Sequence, residues 1–188
     1  MRSLKGFTII EVLVSAVIIS VLIMGAFAVL DVGRSSWFAG DVRTELRKDM
    51  IRAFMAMERE LRETRPVSVG AAARINLNYG ESSNFIAFQI PQDSDDSDTT
   101  VLDSLGDIEW SGNITYLLNG NNEIVRVAPE GTTRVLARGI TNLEFSRNRT
   151  IPDDLPIDLL IINITAQKAS GIGKIVSETG QLIIKMRN

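Results

Sequence analysis

From Phe7 to Leu30 the chain is apolar at nearly every position, and beyond Arg34 the apolar positions thin to one in every three or four. The first pattern predicts a helix that meets lipid on all sides. At about 1.5 Å per residue it is about 36 Å long, enough to cross the roughly 30 Å hydrocarbon core of a bilayer with some tilt. The second pattern, Phe38, Val42, Leu46, Met50, Phe54, Met57 and Leu61, predicts an amphipathic helix with a single apolar stripe. Glu58 and Arg62, one helical turn apart, support it from the charged side. Gly33, between Asp31 and Arg34, is a weak spot, since glycine costs about 1 kcal/mol against alanine inside a helix. No proline intervenes before Pro66, which biases the residue ahead of it out of the helical region. Trp37, Phe38 and Phe54 are bulkier than a dimeric coiled-coil seam favours, so the stripe is expected to pack on the chain's own sheet.

After Val67 the signals are those of strands. Residues 84–90 are short and apolar and end at Pro91. Residues 114–118 and 123–127 flank Asn119-Gly120-Asn121-Asn122, and an Asn-Gly between β-rich runs is a strong hairpin signal. Residues 133–136, 140–146, 157–166 and 181–186 complete the set. Leu159 to Ile164 alternates poorly, which predicts a central strand covered on both faces. The expected fold class is α+β: one long transmembrane-plus-amphipathic helix packed on a mostly antiparallel sheet. The expected divisions are a basic leader over 1–6, a membrane helix over 7–30, its amphipathic continuation over 31–65 and a β-rich domain over 66–188.

Composition narrows the chemistry. The chain has 188 residues, room for one membrane helix and one domain, and neither histidine nor cysteine. That excludes Ser-His-Asp and Cys-His nucleophile systems and the usual zinc sites. Only carboxylate or lysine chemistry stays open, and no enzyme is expected. Basic residues are interspersed with acids and the formal net charge is −3, so no nucleic-acid footprint stands out. Asp93, Asp95, Asp96 and Asp98 crowd four carboxylates into one short stretch and could offer calcium hard oxygen ligands. Their spacing is not that of an EF-hand, and serine-aspartate runs are usually solvated loops. The expectation is no cofactor, with calcium the one ion to test.

One acid, Glu11, lies inside the apolar run. A carboxylate in a membrane span is costly and reads by default as functional, although one this close to the end can also snorkel to the interface. A basic leader (Arg2, Lys5) ends at Gly6, directly ahead of the apolar run, whereas a secretory signal is cleaved after it. The basic residues on the short side place that end in the cytoplasm and the β-rich domain beyond the inner membrane. The run Gly6-Phe7-Thr8-Ile9-Ile10-Glu11 closely resembles the type III signal sequence of prepilins, the precursors of type IV pilins and type II secretion pseudopilins.

The resemblance implies that a membrane aspartyl peptidase, the prepilin peptidase, cuts after Gly6 and methylates the new terminus at Phe7. It also implies that Glu11 pairs with the terminal amine of a neighbouring subunit as helices stack into a filament. A softer resemblance lies in residues 114–127, 134–145 and 182–188, which look like the J-class minor pseudopilins of type II secretion and the W-class minor pilins of type IV pili. It implies other minor and major pseudopilins or pilins and an inner-membrane assembly platform as partners, with no catalysis by the chain itself. The chain departs from many major pilins in lacking a proline within the membrane helix and a carboxy-terminal cysteine pair. Three readings follow: a type II secretion minor pseudopilin of a tip complex; a minor pilin initiating a type IV pilus for adhesion, motility or DNA uptake; and a signal-anchored periplasmic binding domain. Processing at Gly6 separates the last from the other two.

Overall fold

The computed structural model describes residues 8–64, 75–78, 80–93, 101–102, 107–150 and 157–186. Helix α1, Ile9–Leu61, is 53 residues long and therefore about 80 Å from end to end. It runs through Gly33 without a break, because no proline or inserted group interrupts its backbone ladder. Over residues 9–30 its surface is exposed throughout and apolar but for Glu11, Ser15 and Ser20, and among the described residues it is the one helix long and apolar enough to cross a membrane.

The second half buries a single stripe: Val42, Leu46, Met50, Ala53, Met57 and Leu61. Phe54 and Ala39 pack partly against the same core, and a Cβ built on Gly171 would lie 3.5 Å from the Phe38 ring. Trp37 departs from expectation: it is 78% exposed. One residue before Phe38 is about 100° around the helix, so the phase that lays Phe38 on the domain turns Trp37 away from it.

Among the described residues eight strands follow, in two antiparallel sheets rather than one. The first joins β2 (Phe85–Phe88), β3 (Ile114–Leu118), β4 (Glu123–Val127) and β5 (Thr133–Arg138) in that spatial order. The second joins β1 (Ser82–Ser83), β6 (Ile140–Thr150), β7 (Ile157–Ala169) and β8 (Ile175–Lys185). The β3–β4 turn holds its shape through Asn119, whose Oδ1 accepts from the backbone N–H groups of Asn121 and Glu123 at 3.0 and 2.9 Å. Asn122 adopts φ 59°, a left-handed conformation that asparagine tolerates.

Gly139 alone separates β5 from β6, and there the chain passes from one sheet to the other. Its φ is +70°, its carbonyl accepts from Gln167 N–H at 2.7 Å, and an added Cβ would sit 3.0 Å from the Gln167 carbonyl. Only glycine meets both the backbone angle and the close approach without strain.

Strand β7 is central in its sheet, between β6 and β8, but it is covered on one face only. Leu160, Ile162, Ile164 and Ala166 are buried toward the core, while Leu159, Ile161, Asn163 and Thr165 are half-exposed on the other side. The outer face of this sheet is finished by side-chain ladders, with Gln181 donating to Asn163 at 2.9 Å and Thr165 near Thr179 at 3.4 Å. The core between helix and sheets is closed by Tyr116, Phe88, Phe145, Met57 and Leu61, with the rings of Phe88 and Tyr116 stacked at 5.5 Å. The architecture is α+β and pilin-like, a long apolar-started helix with two four-stranded antiparallel sheets on its second half.

Candidate assembly site

Thr8 caps the first turn of α1, its Oγ1 accepting from the Glu11 N–H at 3.3 Å. Thr8-Ile9-Ile10-Glu11 is the Ser/Thr-x-x-Glu spacing of a capping box, a signal that a reading of Glu11 as an isolated membrane acid passes over. A carboxylate in the first turn also meets the partial positive charge of the helix terminus. Gly6 and Phe7, the processing pair, lie outside the described residues. The Glu11 side chain is exposed and makes no hydrogen bond or ion pair among the described residues. It therefore stands as an acceptor at the end of an apolar rod.

The rest of the rod is suited to lipid or to other helices. Ser15 and Ser20 donate back to the carbonyls of Glu11 and Ala16 at 2.7 and 2.8 Å, so both hydroxyls are satisfied within the helix. No Cβ added at Gly25, Gly33 or Gly40 would meet another part of the chain, which leaves that length of helix open to outside contacts.

The domain is fastened to the second half of α1 at three levels. Nearest the membrane end, Lys168 Nζ reaches Glu45 at 2.6 Å, and Arg43 and Arg47 converge on Glu178 at 3.4 and 2.5 Å. In the middle, Phe54 lies across Gly180. Near the far end, Glu60 accepts from the Tyr116 hydroxyl at 2.8 Å and from Arg126 Nε at 3.0 Å. Burial, followed by the hydrogen bond and negative charge of Glu60, pushes the Tyr116 hydroxyl far above its usual range. Burial works against the charge on Arg126, but Glu60 outweighs it and raises the guanidinium further. The three groups satisfy one another in a partly buried setting and tie the far end of α1 to the first sheet. Beyond it, Thr64 donates to the Gln89 carbonyl at 2.6 Å and ties the end of the helix to the segment after β2.

The acidic stretch is divided. Asp95, Asp96 and Asp98 lie outside the described residues, and Asp93 is half-buried. No group of three or more histidine, cysteine, aspartate or glutamate side chains poised for a metal occurs among the described residues.

Residues 1–27 match the prokaryotic N-terminal methylation motif. No curated protein and no solved structure matches the chain. The motif implies processing by a prepilin peptidase and assembly with other pilin subunits, and with the exposed apolar helix it fits a single-pass protein anchored in the inner membrane. A methylation motif opening a lipid-compatible helix, with an α+β domain on the helix's second half, supports a type IV pilin-like protein, a subunit of a pilus or pseudopilus.

Proposed function

We propose that the chain is a minor pseudopilin of a type II secretion system, resembling the J class, which joins other minor subunits in a tip complex that primes the pseudopilus. The observation that supports the pilin-like part of this reading is the methylation motif over residues 1–27, which opens a helix whose second half packs on a two-sheet domain. In this reading Gly6 is the processing position, Phe7 the methylated terminus and Glu11 the acid that meets a neighbour's terminal amine. A cation and a carboxylate that share an apolar helix bundle relieve each other's desolvation, and they fix an axial register that apolar packing leaves free. The work of the chain is binding and assembly, on an inner-membrane platform and against other pseudopilins, with the β domain on the periplasmic side.

Mass spectrometry of the purified full-length product tests the processing step: the expected species begins at an N-methylated Phe7. A product that retains Met1 in a host with the peptidase overturns the pilin-like reading. Deletion in the native host tests the finer assignment. Loss of protein export with surface pili intact is expected, whereas loss of pili with export intact assigns the chain to a type IV pilus.

A further inference from the structure

Strands β7 and β8 form a hairpin that lies along α1 and points back toward the membrane-crossing half. Three contacts set its direction: Gly180 lies at Phe54, Glu178 at Arg43 and Arg47, and Gly171 at Phe38. Strand and helix numbers fall together, so the turn that begins at Ser170 is the part of this sheet nearest the apolar end. The turn is closed by Ser170 N–H to the Lys174 carbonyl and Gly173 N–H to the Ser170 carbonyl, both at 2.8 Å. Phe38 lies eight residues past Leu30, a rise of about 12 Å along the helix. A headgroup layer is about 5 to 8 Å deep on each side of the hydrocarbon core, and a tilted helix climbs more slowly along the normal. The backbone of the turn therefore lies about 4 to 7 Å beyond the outer boundary of the headgroups, within a side chain's reach of it.

Its side chains fit that boundary. Ile172 and Ile175 are 50% and 67% exposed, and Lys174 beside them has no ion pair among the described residues. On the helix at the same level is the exposed Trp37, with Arg34 one turn closer to the lipid. Tryptophan concentrates at membrane–water interfaces, and lysine and arginine extend their heads to the same layer while their stems cover apolar surface. Asp31 and Asp41 offset much of the basic charge here, so the attraction is apolar and aromatic before it is electrostatic.

We propose that Trp37 and the Ile172–Ile175 turn form an interfacial anchor that rests the β domain on the surface of the bilayer that α1 crosses. The proposal rests on the membrane reading of α1. It adds a second contact with lipid, one that holds the domain against the membrane before assembly and is given up as the subunit leaves the bilayer for a filament.

The chain has no cysteine, so single cysteines can be labelled with an environment-sensitive dye in the full-length protein, reconstituted one copy per nanodisc in phosphatidylethanolamine and phosphatidylglycerol. Labels at Ile172, at Leu22 in the helix, and at Lys185, about 33 Å along β8 from Ile175, report three depths. Lipids with a quencher at the headgroup should remove most of the emission at Ile172 and little at Lys185, and an acyl-chain quencher should darken Leu22. A dark Leu22 with Ile172 as bright as Lys185 overturns the anchor while sparing the membrane helix. A bright Leu22 overturns the membrane reading and the anchor with it. Native Trp37 emission in a Trp110→Phe background gives a label-free check: it should be blue-shifted in single-copy nanodiscs and move to the red in Ile172→Asp/Ile175→Asp. A blue shift found only in multi-copy detergent oligomers assigns the patch to subunit packing and overturns the lipid anchor.

Discussion

Phe54 on α1 occupies the space that a side chain at Gly180 of β8 would need: a Cβ built there falls 2.9 Å from the edge of the ring. The φ of Gly180 is not in the left-handed region, so the requirement at this position is for space rather than for backbone freedom. Gly180→Ala should force the ring to shift, at a cost of about 1 to 3 kcal/mol. Phe54→Leu should cost less on its own and relieve the clash, so the double variant should be clearly more stable than the sum of the single losses. Thermal and denaturant melts of the three variants in detergent read both quantities, and strict additivity would show that the ring and the glycine do not compete for one space.

The buried Tyr116 hydroxyl predicts an alkaline limit. Its proton is favoured in the folded chain by burial and by Glu60, whereas an unfolded tyrosine ionises near pH 10. Below about pH 10 both states keep the proton and the contribution is constant. Above it the unfolded chain releases the proton and the folded chain does not, so stability should fall by up to about 1.4 kcal/mol per pH unit. Tyr116→Phe should lose about 1 kcal/mol at neutral pH with its hydrogen bond, and should show a flatter decline above pH 10. Parallel alkaline limbs in wild type and variant would assign the decline to other groups.

Gly139 predicts a larger loss from an equally small change. Gly139→Ala places a Cβ on a left-handed backbone, about 1 to 2 kcal/mol for the angle alone, and brings it up to the Gln167 carbonyl. Because this residue carries the chain between sheets, the loss should appear as one cooperative destabilisation of the β domain. Hydrogen exchange should report it in β5, β6 and β7 together, and a loss confined to β5 would mean that the sheets unfold independently.

Legibility varied with how local the cause was. The limits of β3 and β4 follow from Asn119 and Gly120 between two β-rich runs, and the buried stripe of α1 from apolar residues every three or four positions. The start of β8 was hidden because Ser177, Glu178, Thr179 and Gly180 look like a loop. The last three have a place only through a distant partner: Glu178 through Arg43 and Arg47, Thr179 through Thr165, Gly180 through Phe54. The split into two sheets turns on Gly139, a single residue with no periodicity to announce it. Strand β7 read as doubly covered because Leu159 and Ile161 are apolar, yet they are half-exposed on the outer face. At the candidate site, Glu11 stood out as the single acid in the apolar run. Glu60 did not, because a glutamate on an amphipathic helix looks solvated until the sheet brings Tyr116 and Arg126 to it.

Glu11 separates an assembly role from a capping role. Both the helix terminus and the Thr8 cap favour an acid here, and both act within one monomer. If these were its whole purpose, Glu11→Ala would lower helix stability by a few tenths of a kcal/mol to about 1 kcal/mol and leave partner binding alone. If Glu11 meets a neighbour's terminal amine, Glu11→Ala leaves that amine stranded in an apolar bundle at a cost of about 3 to 5 kcal/mol, enough to turn a populated complex into a rare one. The expected result is normal insertion and normal processing with a severe loss of partner subunits on co-purification. Glu11→Asp should fall between, since it keeps the charge and the cap but reaches less far. Glu11→Gln, which keeps the reach and loses the charge, should resemble alanine in co-purification. Wild-type co-purification of both Glu11→Ala and Glu11→Gln would reduce the residue to a cap that snorkels to the interface. A mild defect has its own geometric meaning: a subunit at the extreme tip lacks one of its two axial neighbours, so only half of the pairing is there to lose.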